Sequence, residues 1–219
     1  MILRHFLLYA KEEQGITEVH KNLSFQSRCV TSLYERCFSK FHTTDIKQIN
    51  VFCVKEFPKS NLIVEGGFCD IEILYDVSRF LKLDNEEKKV VILDTLKQGI
   101  DKVVELNNWD PSPFDDAYNC VKESGYNTNY VWKKPKSSQN RNYKAEVLIE
   151  HGLYFCDIYL IVKDKNGQEI TRKRIASEKP DELIFGRHLG ELKWLSNNEV
   201  ALFNYSKTNY KSIQLNEYQ

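Results

Sequence analysis

Between residues 84 and 107 the apolar side chains recur at helical spacing, and from Tyr130 onward they recur at alternate positions. That change of period is the strongest constraint on the fold, because a pattern that buries one face of a helix exposes half its apolar residues as a strand. Asp84 is a good N-cap and Glu87 follows three residues later, the spacing of a capping box. Leu93, Leu96, Ile100, Val103 and Val104 then form one apolar stripe, and the helix should run to about Asn107. A second helix is expected from Ser112 as cap and Pro113 at the first helical position, with Phe114, Ala117 and Val121 buried and Gly125 as the stop.

The flanking segments read as strands. Ile2 to Tyr9 opens the chain, and Ile49 to Phe57 is β-rich and closed by Pro58. Residues 16–44 are the least regular; Leu33, Cys37 and Phe41 at i, i+4 and i+8 suggest a short helix there. Gly66-Gly67 reads as a bulge or kink in a strand. Cys69, Ile71, Ile73 and Tyr75 alternate with Asp70, Glu72 and Asp76, giving one dry face and one acidic face. Tyr130-Val131-Trp132 is a short strand, and the basic stretch 133–144 reads as a mobile loop. A hairpin is expected at His151-Gly152, followed by a central strand that is apolar on both faces. Asn166-Gly167 turns into Glu169–Ile175, an edge strand guarded by Arg172, Lys173 and Arg174, and further strands are expected at 192–195, 200–205 and 211–215. The expected fold is α+β, mainly an antiparallel sheet or meander with one long and one or two short helices. Its parts are an N-terminal α+β segment (1–126) and a C-terminal β-meander (127–219), expected to pack as one unit.

The 31 basic and 31 acidic side chains cancel, so no global excess points to a polyanionic partner. The cancellation hides an acidic middle: residues 61–125 carry 7 basic and 14 acidic groups, against 9 and 6 before them and 15 and 11 after. Phe6 to Ala10 is too short for a secretory apolar region, and no stretch reaches the length of a membrane span, so a cytoplasmic protein with no membrane partner is expected. The six cysteines show no CxxC and no zinc-ligand spacing with histidine. Cys53, Cys69 and Cys156 fall in apolar strand patterns, and the expectation is buried thiols with no bridge.

Four constellations could carry chemistry. Pro180-Asp181 followed by Glu191-Leu192-Lys193 resembles the nuclease layout in which two acids (Asp181, Glu191) hold Mg²⁺ and Lys193 assists the attacking water. Cys156 with His151 could be a nucleophile and base, though a packed cysteine beside a turn histidine is the simpler reading. The stretch 133–144, with Tyr130, Trp132 and Tyr143 nearby, has the makings of a nucleic-acid contact, but the neutral whole speaks against one. Asp70, Glu72 and Asp76, with Asp84, Glu86 and Glu87 opening the next helix, form the acidic feature best suited to an electropositive protein partner.

The run Leu83-Asp84-Asn85-Glu86-Glu87-Lys88-Lys89 with its helix to Asn108-Trp109-Asp110, and the tail Gly190-Glu191-Leu192-Lys193-Trp194-Leu195-Ser196-Asn197-Asn198, resemble the immunity proteins encoded beside bacterial polymorphic toxins. The resemblance implies a small cytoplasmic binder, without catalytic residues or cofactor, that plugs a toxin's active site. On that reading Asp70, Glu72 and Asp76 meet a basic toxin domain; the Mg²⁺-dependent nuclease and the nucleic-acid-binding module are the alternatives.

Overall fold

The computed structural model describes residues 1–11, 18–56, 58–59 and 62–215, with backbone only for 18–21. The chain divides into two compact units, Met1–Thr128 and Asn129–Gln219. It is α+β, with 30% helix and 38% strand in mostly antiparallel sheets.

In the first unit β1 (Ile2–Leu3) pairs with β3 (Phe41–His42), while β2 (His5–Ala10), β4 (Gln48–Val54), β5 (Ile63–Glu65) and β6 (Phe68–Leu74) form a sheet in the order β2-β4-β6-β5. β2, β4 and β6 are mutually parallel, and β5 is an antiparallel edge strand. The parallel pairing of β2 with β4 requires a crossover. It is supplied by α1 (Glu18–Cys37), a 20-residue helix where only a short one is expected from the sequence. The register sets Phe6 and Leu8 beside Ile49 and Val51, and these residues are buried under the helices. Gly66 and Gly67, at φ +58° and +89°, make the tight turn joining β5 to β6 rather than a kink within one strand.

After the short helix α2 (Val77–Phe80), α3 (Asn85–Leu106) begins with the expected capping box, Asp84 accepting from the Glu87 amide and Glu87 from the Asp84 amide. Gly99 of α3 lies so close to β4 that an added Cβ would sit 2.4 Å from a Val51 methyl. α4 (Ser112–Glu123) starts one residue earlier than expected: Pro111 is the cap position, and Asp110 accepts from the Ser112 amide at 3.0 Å. Phe6, Tyr34, Phe38 and Phe114 join α1, α4 and β2 in one aromatic cluster, with Phe6 edge-on to Tyr34 at 5.0 Å and to Phe38 at 4.8 Å.

The expectation of unbridged cysteines is corrected at one pair. Cys37, the last residue of α1, is bonded to Cys120 of α4. The two ends lie 83 residues apart and come together only because α1 and α4 pack side by side, so sequence spacing could not announce them. Cys29, Cys53, Cys69 and Cys156 are free and buried. Burial pushes the thiols of Cys29, Cys53 and Cys69 up to about 12, so they are inert at neutral pH.

The second unit is a sandwich of two antiparallel sheets. One holds β7 (Tyr130–Ser137), β8 (Tyr143–His151), β9 (Cys156–Asp164) and β10 (Glu169–Glu178) in the order β10-β9-β8-β7. The other holds β11 (Glu191–Trp194), β12 (Glu199–Phe203) and β13 (Tyr210–Gln214) in chain order. β9 is interior and β10 is an edge, as the apolar and charged patterns require. The basic stretch expected as a loop is strand as far as Ser137: β7 slips register between Trp132 and Lys136, around Lys133 at φ +57°, and then resumes pairing. α5 (Glu182–Phe185) and a 3-10 turn (Gly186–His188) connect the sheets.

Two outcomes test this packing. Thiol titration of the unfolded, unreduced chain should count four thiols, and reduction should destabilise the first unit by roughly 2–5 kcal/mol; six thiols would contradict the bridge. Gly99→Ala should lower stability by about 1 kcal/mol or more, since overpacking Val51 outweighs the gain in helix propensity, and a higher melting temperature would refute the close approach.

Candidate functional site

A concavity of about 930 Å³ lies in the second unit. Its floor is Ile175, Phe185, Leu189 and Leu202, all members of the sandwich core. Tyr130 and Trp132 of β7 form one wall, and the β12–β13 turn with Asn204, Tyr205, Asn209 and Tyr210 forms another. The third side is α5 and the turn after it, and this connector is fixed at several points. The Asp181 carboxylate accepts from the Leu183 amide at 2.8 Å and starts α5. Phe185 is buried and meets the ring of buried His151 edge-on at 5.3 Å, while His151 Nε2 bonds the Pro180 carbonyl at 3.1 Å. The Tyr205 amide donates to the Arg187 carbonyl at 2.9 Å, and the Gly190 amide to the Phe203 carbonyl at 2.9 Å.

What remains exposed around this hollow is apolar and large. Leu183 is 93% exposed, Tyr205 77% and Tyr210 48%, the last with its ring 4.9 Å from that of Phe203. The ammonium of Lys133 sits over the Trp132 ring, 4.0 Å from its centre. Charges of both signs stand around the rim, with Glu182, Arg187 and Lys211 in the lining. Arg187 Nη2 donates to Glu178 at 2.5 Å and His188 Nε2 lies 2.9 Å from the same oxygen, which holds the Glu178 carboxyl below the usual range. Lys211 donates to the Ile175 carbonyl at 2.6 Å, and Lys207 pairs with Glu191 at 2.9 Å. The amides of the turn are committed to the turn itself: Asn204 Nδ2 donates to Thr208 Oγ1 at 3.1 Å, Asn204 Oδ1 accepts from the Asn209 amide, and Asn209 Oδ1 accepts from the Tyr210 amide. The hollow therefore offers ring faces and an aliphatic floor, with few uncommitted polar atoms.

Of the residues singled out in the sequence, Tyr130 and Trp132 line the groove, and the others lie elsewhere or in other roles. Asp70 and Glu72 do share a face of β6, the one turned away from the helices, but each has a local partner. Asn50 Nδ2 donates to Asp70 at 2.7 Å. Glu72 is buried; it pairs with Lys11 and accepts from the Lys59 amide at 2.8 Å. Asp76 caps α2, accepting from the Ser78 amide at 3.0 Å. For the nuclease layout, Glu191 and Lys193 share the face of β11 opposite buried Leu192 and Trp194, while Asp181 is the cap of α5 and Glu191 is matched by Lys207. No group of three or more His, Cys, Asp or Glu side chains is gathered for a metal ion among the described residues. His151 and Cys156 face each other across the β8–β9 pairing, both buried. Tyr143 stacks on Trp194 at 6.3 Å inside the sandwich.

Tyr130 and Trp132 stand out in the sequence beside the basic stretch, whereas the groove residues of α5 and of the β12–β13 turn do not, because the groove is assembled from separate stretches. The available signal was Leu183-Ile184-Phe185, an apolar run between the cap Asp181 and Gly186 that is too short for a helical face of its own. Comparison with protein-family models, with curated proteins and with solved structures returns no match to this chain.

The Glu72 contacts have a pH signature. Burial raises its pKa, but the Lys11 ammonium and the Lys59 amide outweigh that and hold the carboxyl below the usual range. A carboxyl with a lowered folded pKa contributes stability above its unfolded pKa, about 4.3, and loses it as pH falls through the folded value. Glu72→Gln should therefore destabilise the first unit at neutral pH, with the gap to the wild type closing in acid. Melting curves from about pH 6 to pH 2 check this, and a gap independent of pH would contradict it.

Proposed function

We propose that the chain is a non-catalytic binding protein whose working surface is the aromatic groove of the second unit. Its occupant is an amphipathic segment of another protein, with apolar anchors and acidic flanks. The carrying observation is the exposed apolar rim, Leu183 and Tyr205 above all, set around a floor made of the sandwich core. Exposed apolar side chains gathered at a concavity mark a surface that another molecule covers, and an aromatic-lined hollow is where anchoring residues of a partner gain most.

Charge favours acidic flanks on the occupant. The second unit carries 15 basic and 11 acidic side chains, and at the groove Lys211 is held by the neutral Ile175 carbonyl, while Arg187 and Lys207 are answered by Glu178 and Glu191. The committed turn amides argue for a ligand recognised by apolar contact rather than by a fan of hydrogen bonds. The resemblance to toxin immunity proteins supports a binder that acts by occlusion, so the partner proposed is a cognate toxin whose substrate site is covered on binding. On this reading Asp70, Glu72 and Asp76 serve the first unit's own packing and capping. A cytoplasmic location follows from the resemblance, whereas the Cys37–Cys120 bridge fits oxidising surroundings better.

Peptide display on the immobilised protein tests the groove whatever the natural partner is. The wild type should enrich peptides pairing large apolar residues with Asp or Glu. Leu183→Asp combined with Tyr205→Ser, both at exposed positions, should weaken the selected peptides by roughly thirtyfold. Peptides that bind this variant as well as the wild type, or that are lost with Asp70→Asn instead, would overturn the assignment.

A further inference from the structure

We propose that a second hollow, in the first unit, binds the phosphate group of a small phosphomonoester with an apolar or ring-shaped body. It has a volume of about 480 Å³ and lies between the amino end of β2 and the carboxyl end of α1. Arg4, His5, Arg36 and Lys40 line it, with Glu35 as the one carboxylate. This concentration runs against the unit around it, which carries 16 basic and 20 acidic side chains. Cations at Arg36 and Lys40 are what the carbonyl end of α1 would attract in any case. Arg4 and His5 come from the strand side and have no such explanation, yet they line the same hollow.

The single carboxylate is already engaged. Glu35 accepts from the Phe6 amide at 3.0 Å and lies 3.5 Å from Arg28 and 3.7 Å from His5 Nδ1. The neighbouring Glu35 carboxylate raises that imidazole's pKa, against the opposing effects of burial and of Arg28 and Arg4. Arg36 is oriented by two neutral acceptors, Ser32 Oγ and the Thr128 carbonyl, each at 3.0 Å. Arg4 and Lys40 have no carboxylate within ion-pair distance among the described residues. The two positive charges of Arg4 and Lys40, one of them a guanidinium, suit a dianionic phosphate better than a carboxylate. Phe38, Ile2 and Leu3 supply the apolar side against which the ligand's body would lie.

Phenyl phosphate is the probe, with benzoate as the carboxylate of similar body and inorganic phosphate as the group alone. Amide chemical shifts of the isotopically labelled full chain should move saturably with phenyl phosphate around Arg4 and from Arg36 to Lys40. Benzoate and inorganic phosphate should each bind more weakly, the first for want of charge and the second for want of a body. Arg4→Gln with Lys40→Gln, both exposed side chains, should leave the melting temperature unchanged and weaken phenyl phosphate about tenfold or more. Absence of saturation, equal binding to the double variant, or benzoate binding as tightly as phenyl phosphate would overturn the proposal.

Discussion

The burial of Phe185 is the contact on which the second unit's groove depends. One ring, packed edge-on to His151 and closed off from solvent, pins the connector between the two sheets of the sandwich. With Phe185 fixed inward on a four-residue helix, the helical turn directs Leu183 to the opposite side, into solvent. The neighbouring backbone bonds, Pro180 to His151 and Arg187 to Tyr205, tie the connector to one sheet and to the turn of the other. The groove is thus a consequence of how a short linker crosses the end of a sandwich, with the backbone beneath its exposed rim anchored by these hydrogen bonds. An anchored backbone lowers the ordering cost of binding.

The first unit is governed by a different constraint, the burial of a parallel strand trio beneath helices on one face. That face takes Phe6, Leu8, Ile49, Val51, Ile71 and Ile73, while the other carries the polar members of the same strands. An acidic strand face read from alternation alone implies free charge. Here Glu72 is paired with the Lys11 ammonium, and Asp70 and Asp76 are oriented by neutral donors, Asn50 and the Ser78 amide, so all three are engaged within their own unit. The cationic hollow at the other end of β2 is the reverse case, in which residues scattered over the sequence gather without enough acids to answer them.

Much of the secondary structure was legible because its signals are local. The Asp84–Glu87 box, the stripe from Leu93 to Val104, the twice-apolar β9 and the charged edge β10 all follow from spacing within a single element. α1 was legible only as a short helix because its buried side is unusual: Gln26, Ser27, Thr31 and Ser32 are buried with Leu23, Val30 and Tyr34, so the hydrophobic period is diluted by small polar residues. Ser27, for example, donates its hydroxyl to the Leu8 carbonyl at 3.2 Å, satisfying a polar group that the pattern would place in water. The lysine-rich part of β7 was hidden by its register slip, and the Cys37–Cys120 bridge, the groove and the cationic hollow by their dependence on tertiary packing.

The central claim is that partners meet this protein at the groove of the second unit. Hydrogen–deuterium exchange of the chain, alone and saturated with a selected peptide, tests it most directly. The account predicts slowed exchange in residues 182–190 and in the 203–211 turn, with the strands of the first unit unchanged. Protection centred instead on residues 63–76, with the groove segments exchanging as in the free protein, would contradict it.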